Sequence, residues 1–182
     1  LRYWRVTQLA SIRARGFDAV PADDVTKIRT ALHPRFPNGD WRIDRELQVT
    51  LCGLNDEDAI GPMLTHLEST EDAAEQMHTV YALRTLESGW SKPNRDRLIA
   101  GFDWGWEMKG GASVEGYIHN FWESALEFFP EDERQAALAH REEFMAARQA
   151  RALELMAAME QKNKGRVSDL AQRDFEEIAE YL

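Results

Sequence analysis

The punctuation of this chain constrains its fold more than any other feature. A helical run, Tyr81-Ala82-Leu83-Arg84-Thr85-Leu86, stops at Ser88-Gly89-Trp90, and a second run is opened by Pro93. A third, aromatic run follows Lys109-Gly110-Gly111-Ala112-Ser113. Gly just past a helix and Pro in its first turn are the two ends that backbone chemistry favours, because Gly adopts left-handed angles and the missing Pro N–H costs nothing there. Runs this short bury their apolar faces only against neighbours, so the pattern predicts stacked helix pairs. No alternating strand pattern competes. The expected fold class is all-α: a HEAT-like α-solenoid of antiparallel helix pairs with about nine helices.

The same reasoning runs along the whole chain. A first helix is expected over 1–15, stopped by Gly16. A second starts after Pro21, with Asp23 and Asp24 at its positive end, and stops near His33 because Pro34 disfavours helix before it. Asp40 caps a third helix carrying Ile43, Leu47, Leu51 and Leu54, and Asn55 with Asp58 forms a capping-box start for a fourth carrying Ile60, Met63, Leu64 and Leu67. These two are expected to pair across a short turn as the basic HEAT-like unit. Ser69 or Thr70 caps the fifth, which buries Met77, Val80 and Leu83. The sixth shows Leu98, Ile99, Phe102 and Trp106, and the seventh Val114, Tyr117, Ile118, Phe121, Trp122, Ala125 and Phe128. That last stripe is broad enough to face the centre of the stack. Pro130 with three acidic residues opens a long Ala-, Glu-, Arg- and Met-rich helix to Gln161. A break at Lys162-Asn163-Lys164-Gly165 and a last helix capped by Ser168 follow. The expected organisation is helical repeats over 1–129, a packing helix of the same domain over 130–161, and a linker with a terminal helix over 162–182, leading toward a further domain.

Charge and composition narrow the function classes. With 182 residues, 43% of them hydrophobic, the chain can build one ordinary core. Its 22 basic and 32 acidic residues leave a formal charge of -10, a surface that repels phosphate and disfavours nucleic acid as a partner. No apolar run reaches the roughly 18–20 residues that span a bilayer. The opening Leu1-Arg2-Tyr3-Trp4 is already helical in pattern, which reads as a fragment of a longer polypeptide.

Candidate chemistry is sparse. Cys52, the only cysteine, lies in an apolar helical run and reads as a small buried hydrophobe with no base beside it. The five histidines, at 33, 66, 78, 119 and 140, fall on different predicted helices without metal-ligand spacing, though His78 and His119 lie in adjacent units. No cofactor and no metal are expected in these residues. Two places could take a ligand or partner. One is the Lys109, Gly110, Gly111 and Ser113 turn, whose N–H groups precede a helix and could hold an anion. The other is the aromatic set of Trp104, Trp106 and Trp122 with Phe102, Tyr117 and Phe121, which could stack a sugar or flat cofactor but has the spacing of a core. On the long helix, Met145, Met156 and Met159 would suit an adaptable protein contact.

Three segments resemble the helical domain of large exported proteins from planctomycetes and related bacteria. They are Leu32-His33-Pro34-Arg35-Phe36-Pro37-Asn38-Gly39-Asp40-Trp41 with Asp44-Arg45-Glu46-Leu47, then Tyr81-Ala82-Leu83-Arg84 with Gly89-Trp90, then Lys109-Gly110-Gly111-Ala112-Ser113 with Gly116-Tyr117. Proteins of that type join a sorbosone/glucose-dehydrogenase-like β-propeller, a HEAT-like helical region and a c-type cytochrome domain with a CxxCH motif. The matching residues are structural: Arg84 and Glu46 as makers of inter-helix hydrogen bonds, Trp90 as the filler of a helix-end pocket, the glycines as permissive turns. The segment Arg173-Asp174-Phe175-Glu176-Glu177-Ile178 looks like the lead-in to the cytochrome domain. The resemblance implies a non-catalytic scaffold or interaction module of a periplasmic redox or carbohydrate-oxidising protein, whose partners are neighbouring domains or another protein. The alternative is a ligand-binding or catalytic helical domain built on Trp106 and Trp122.

These expectations have a spectroscopic test. The purified chain should show no Soret absorbance and no stoichiometric transition metal. Tight haem uptake, lost on changing one histidine, would overturn the scaffold reading.

Overall fold

The computed structural model describes residues 20–108 and 112–180. Among them are seven α-helices, two short 3-10 turns and no strand. In chain order the helices are α1 (Ala22–Leu32), α2 (Trp41–Gly53), α3 (Ile60–Ser69), α4 (Ala73–Leu83), α5 (Lys92–Glu107), α6 (Ala112–Leu126) and α7 (Glu131–Glu180). The helix expected over 1–15 lies outside the described residues. The chain divides into two units, Leu1–Arg134 and Gln135–Leu182. The all-α class is therefore as expected, with fewer helices than nine among the described residues.

Local chemistry explains most of the boundaries. α1 starts after Pro21 with Asp23 and Asp24 in its first turn, as charge at a helix N-terminus favours. It buries none of its residues, and polar contacts hold it instead. Nε and Nη2 of Arg29 donate to the carbonyl oxygen of Leu54, and His33 Nδ1 lies 2.9 Å from Asp56 Oδ2. Asp40 caps α2, accepting from the Arg42 amide at 3.0 Å. The buried carboxylate of Asp44 then gathers the amides of Asn38 at 2.6 Å and Gly39 at 3.0 Å. This clips the Pro37-Asn38-Gly39 turn onto α2, with Gly39 at φ 86°, a left-handed angle suited to glycine.

Three expected boundaries differ. Asn55 does not cap a helix start: it sits at φ 51°, a left-handed residue that ends the α2 segment, and Asp56 precedes the 3-10 turn Glu57–Ala59. Asn tolerates that conformation better than most residues, which is why a capping signal and a helix end look alike here. Asp72, rather than Ser69 or Thr70, caps α4, accepting from the amides of Ala74 and Glu75 at 2.8 and 3.0 Å. The break expected at 162–165 is absent, and α7 runs through it to Glu180. A single Gly costs a helix only about 1 kcal/mol, and Lys and Asn cost less. α7 thus runs from the end of the first unit, at Arg134, through the second.

The core of the first unit gathers Leu47, Leu51, Ile60, Met63, Leu64 and Leu67 from α2 and α3 with Leu83, Leu98, Phe102 and Trp122 from later helices. The closest backbone approaches join α2 to α4, α3 to α4 and α5, and α5 to α6. The expected α2–α3 pair is thus not the main packing unit, although Cys52 Sγ meets Met63 Sδ at 3.7 Å between them. The left-handed Asn55 and the 3-10 turn redirect the chain before α3 starts. Between α2 and α4, buried Gln48 donates to Thr79 Oγ1 at 2.9 Å.

α6 buries a narrower stripe than its sequence suggests. Ile118, Trp122, Ala125 and Leu126 are buried, while Val114, Phe121 and Phe128 are half-buried and Tyr117 is exposed. A helix face in contact with a core subtends a limited arc, so seven apolar residues of α6 and its end cannot all reach it. Truncating Trp122 to Ala should cost about 3–5 kcal/mol, the range for emptying a large aromatic core site. Tyr117→Ala should cost under about 0.5 kcal/mol, as surface changes do. Urea midpoints of the two variants check both values, and equal midpoints would contradict this division of α6.

Candidate functional site

Of the aromatic set that could take a ligand, Phe102, Trp106 and Trp122 are buried, Trp104 and Phe121 are half-buried, and Tyr117 is exposed. Trp106 is 3% exposed and Trp122 1%. Phe102 packs edge-on against Trp122 at 5.1 Å between ring centroids, and Trp106 does so at 6.0 Å. Both are the edge-to-face geometry that aromatic quadrupoles favour. No open face of either indole remains for a flat ligand. Of the anticipated turn, Lys109, Gly110 and Gly111 lie outside the described residues, and Ser113 is exposed in the first turn of α6.

The histidines do not converge. His33 pairs with Asp56, His66 Nε2 lies 3.5 Å from Glu75 Oε2, and His119 Nε2 lies 3.1 Å from Glu123 Oε1 on its own helix. Among the described residues no group of three metal-capable side chains occurs. Cys52 is buried, and burial, with Asp56 adding to it, pushes its thiol far up, so it stays protonated and unreactive.

A different set of residues does converge at the surface. Trp41 is 51% exposed, Tyr81 41% and Tyr117 59%. The guanidinium of Arg45 lies 5.4 Å from the Trp41 ring. The carbonyl oxygen of Arg45 accepts from His78 Nε2 at 3.0 Å, and the His78 ring lies 6.1 Å from Tyr81. Tyr81 packs edge-on against Phe121 at 5.4 Å, one helical turn from Tyr117. Arg84 completes the strip, its guanidinium 4.5 Å from the Tyr81 ring and 5.5 Å from Phe121. These are cation–π distances, each worth roughly 0.5–2 kcal/mol according to desolvation. The strip crosses α2, α4 and α6, helices that approach closely through α4.

Sequence reasoning did not assemble this strip as a site, because its residues fall in three groups separated by dozens of positions. Tyr117 and Phe121 were expected in the aromatic set that could take a ligand, and Arg84 with Glu46 as makers of inter-helix hydrogen bonds. In the structure Arg84 lies over the Tyr81 and Phe121 rings, and its buried Nε makes no hydrogen bond. Trp90 does serve its helix end: its Nε1 donates to the Leu86 carbonyl oxygen at 2.8 Å.

Comparison with protein-family models, with curated proteins and with solved structures finds no match for this chain.

His78 gives the strip a pH dependence. Burial lowers its pKa below the ordinary 6.5, the Arg45 charge adds in that direction, and the hydrogen bond to the Arg45 carbonyl and the Glu46 charge oppose it. The folded protein thus binds this proton less readily than the unfolded chain. The His78 contribution to stability is complete above about pH 6.5 and is lost as pH falls through that value toward the folded pKa. His78→Gln should therefore flatten the decline of Tm between pH 7.5 and 5.5. An unchanged slope in thermal melts would show that His78 does not carry that decline.

Proposed function

We propose that this chain is a non-catalytic helical scaffold and interaction module, of HEAT-like character, within a larger exported redox or carbohydrate-oxidising protein. The exported setting and the redox parent come from the resemblance of the three segments quoted above. What supports the interaction role is the division of its aromatic side chains. Trp106, Trp122 and Phe102 are spent on packing, whereas Trp41, Tyr81 and Tyr117 stand at the surface beside two arginines. Exposed aromatics interleaved with arginine are the composition of protein contact surfaces, where both residue types dominate binding energy. No described helix is long and apolar enough to cross a membrane.

The strip is the surface that this reading assigns to a neighbouring domain or a protein partner. Hydrogen exchange compared between the isolated chain and its complete gene product should slow amides of α4 and α6 near Tyr81 and Tyr117. Identical exchange throughout would remove docking within the same polypeptide. A panel of aldoses with an artificial electron acceptor should give no turnover by the isolated chain. Turnover abolished by Trp106→Ala without loss of fold would establish the catalytic alternative instead.

A further inference from the structure

The proposal that the strip is an interaction surface leaves its partner chemistry open, and the arginines narrow it. Three other arginines of the first unit pair with carboxylates through two nitrogens each, while Arg29 and Arg134 donate to backbone carbonyls. Arg42 holds Asp40, Arg95 holds Glu133 at 2.7 Å from both Nε and Nη2, and Arg97 holds Glu68 at 2.6 Å. Carboxylates outnumber basic groups in this chain, 32 to 22. Even so, among the described residues neither Arg45 nor Arg84 pairs with one, and both lie over aromatic rings.

The ring contact matters chemically because it holds each guanidinium near one position, and a planar fork held in place loses less entropy when a carboxylate arrives. His78, between the two arginines along the strip, is kept from charging by burial and hydrogen-bonds to the backbone. Glu46, next to Arg45, has a contact of its own, and its charge reaches His78. The exposed faces of Trp41, Tyr81 and Tyr117 offer apolar contact around the two cations. The net charge of -10 does not forbid an acidic ligand, because exposed charges more than about 8–10 Å away are screened at physiological salt.

We infer that the strip receives an acidic peptide segment of a protein partner, Asp or Glu carboxylates landing on Arg84 and Arg45 while adjacent aromatic or aliphatic side chains cover Tyr81, Tyr117 and Trp41. The inference rests on the interaction-module reading. It is a carboxylate receptor on an acidic protein, and its specificity would come from the spacing of two fixed cations.

A random peptide library displayed on phage and selected against the intact chain tests it. Recovered peptides should be enriched in Asp or Glu beside an aromatic or aliphatic residue. Synthetic copies should bind at least tenfold more weakly to Arg84→Gln and when their carboxylates are replaced by amides. Arg84→Lys keeps the charge but loses the planar fork, and should recover only part of the binding. Arg45→Gln, at an exposed position, should weaken binding without moving the thermal melt, which keeps the test decisive if Arg84→Gln unfolds. Arg97→Gln, outside the strip, should leave affinity unchanged. Peptides whose binding ignores both strip arginines, peptides without carboxylates, or an empty selection would each overturn the inference. Peptides that bind elsewhere would leave the interaction-module reading standing, whereas sugar turnover by the chain would remove that reading itself.

Discussion

The close approach of α5 to its neighbours is the contact on which the rest of the first unit depends. Gly101 and Gly105, one turn apart, present bare backbone where other residues would carry a Cβ. A Cβ on Gly101 would lie 2.6 Å from Leu67 Cδ2 of α3, and one on Gly105 would lie 3.3 Å from two methyl groups of Ile118 on α6. A side chain at the first would make Leu67 shift and one at the second would press Ile118 aside, so glycine at both suits this helix spacing. The residue after each glycine, Phe102 and Trp106, then meets Trp122 edge-on. Helix spacing, aromatic geometry and burial are one arrangement here, because close-packed interiors leave no slack to take up a displaced helix.

Polar contacts do a different job at the other end of the unit. α1 has no buried residue, so burial of apolar side chains does not fix it. Arg29 on the Leu54 carbonyl and His33 beside Asp56 tie it to the turn after α2, while Asp44 holds the preceding loop. The first two engage a backbone carbonyl and a carboxylate that flank the left-handed Asn55, just before the 3-10 turn. Asn55 is itself bound there, its Nδ2 donating to Ser88 Oγ at 2.7 Å, and Ser88 in turn donates to Glu57 Oε1 at 2.6 Å. The loop after α4 is thereby fastened to the turn between α2 and α3. Gly89 completes the fit: at φ 81°, its position would drive a Cβ to 2.4 Å from the Glu57 Cβ.

How far each feature was legible follows from its range in sequence. The stripes of α2 and α3 were readable, since Leu47, Leu51, Leu54, Ile60, Met63 and Leu67 recur at helical spacing and all are buried. Caps were readable only where one candidate stood alone, as Asp40 did. Ser69, Thr70 and Asp72 compete within four residues, and the backbone path chooses among them. The apolar run of α6 announced a buried helix, but not which arc of it faces inward. Met145, Met156 and Met159 were likewise legible as an apolar set on a long helix. Met156 and Met159 are exposed there, outcomes that periodicity alone does not distinguish from burial.

The sequence by itself determined the helical class, the buried state of Cys52 and most of the apolar stripes of the first unit. These depend on spacing of three or four residues and on local backbone chemistry, which the order of residues states directly. Tertiary structure alone decided that Trp106 and Trp122 are interior while Trp41, Tyr81 and Tyr117 are not, because identical periodicity serves either fate. It alone brought Arg45 and Arg84, 39 positions apart in the chain, into one strip. A surface of that kind is made by the crossing of α2, α4 and α6, and no window along the sequence contains it.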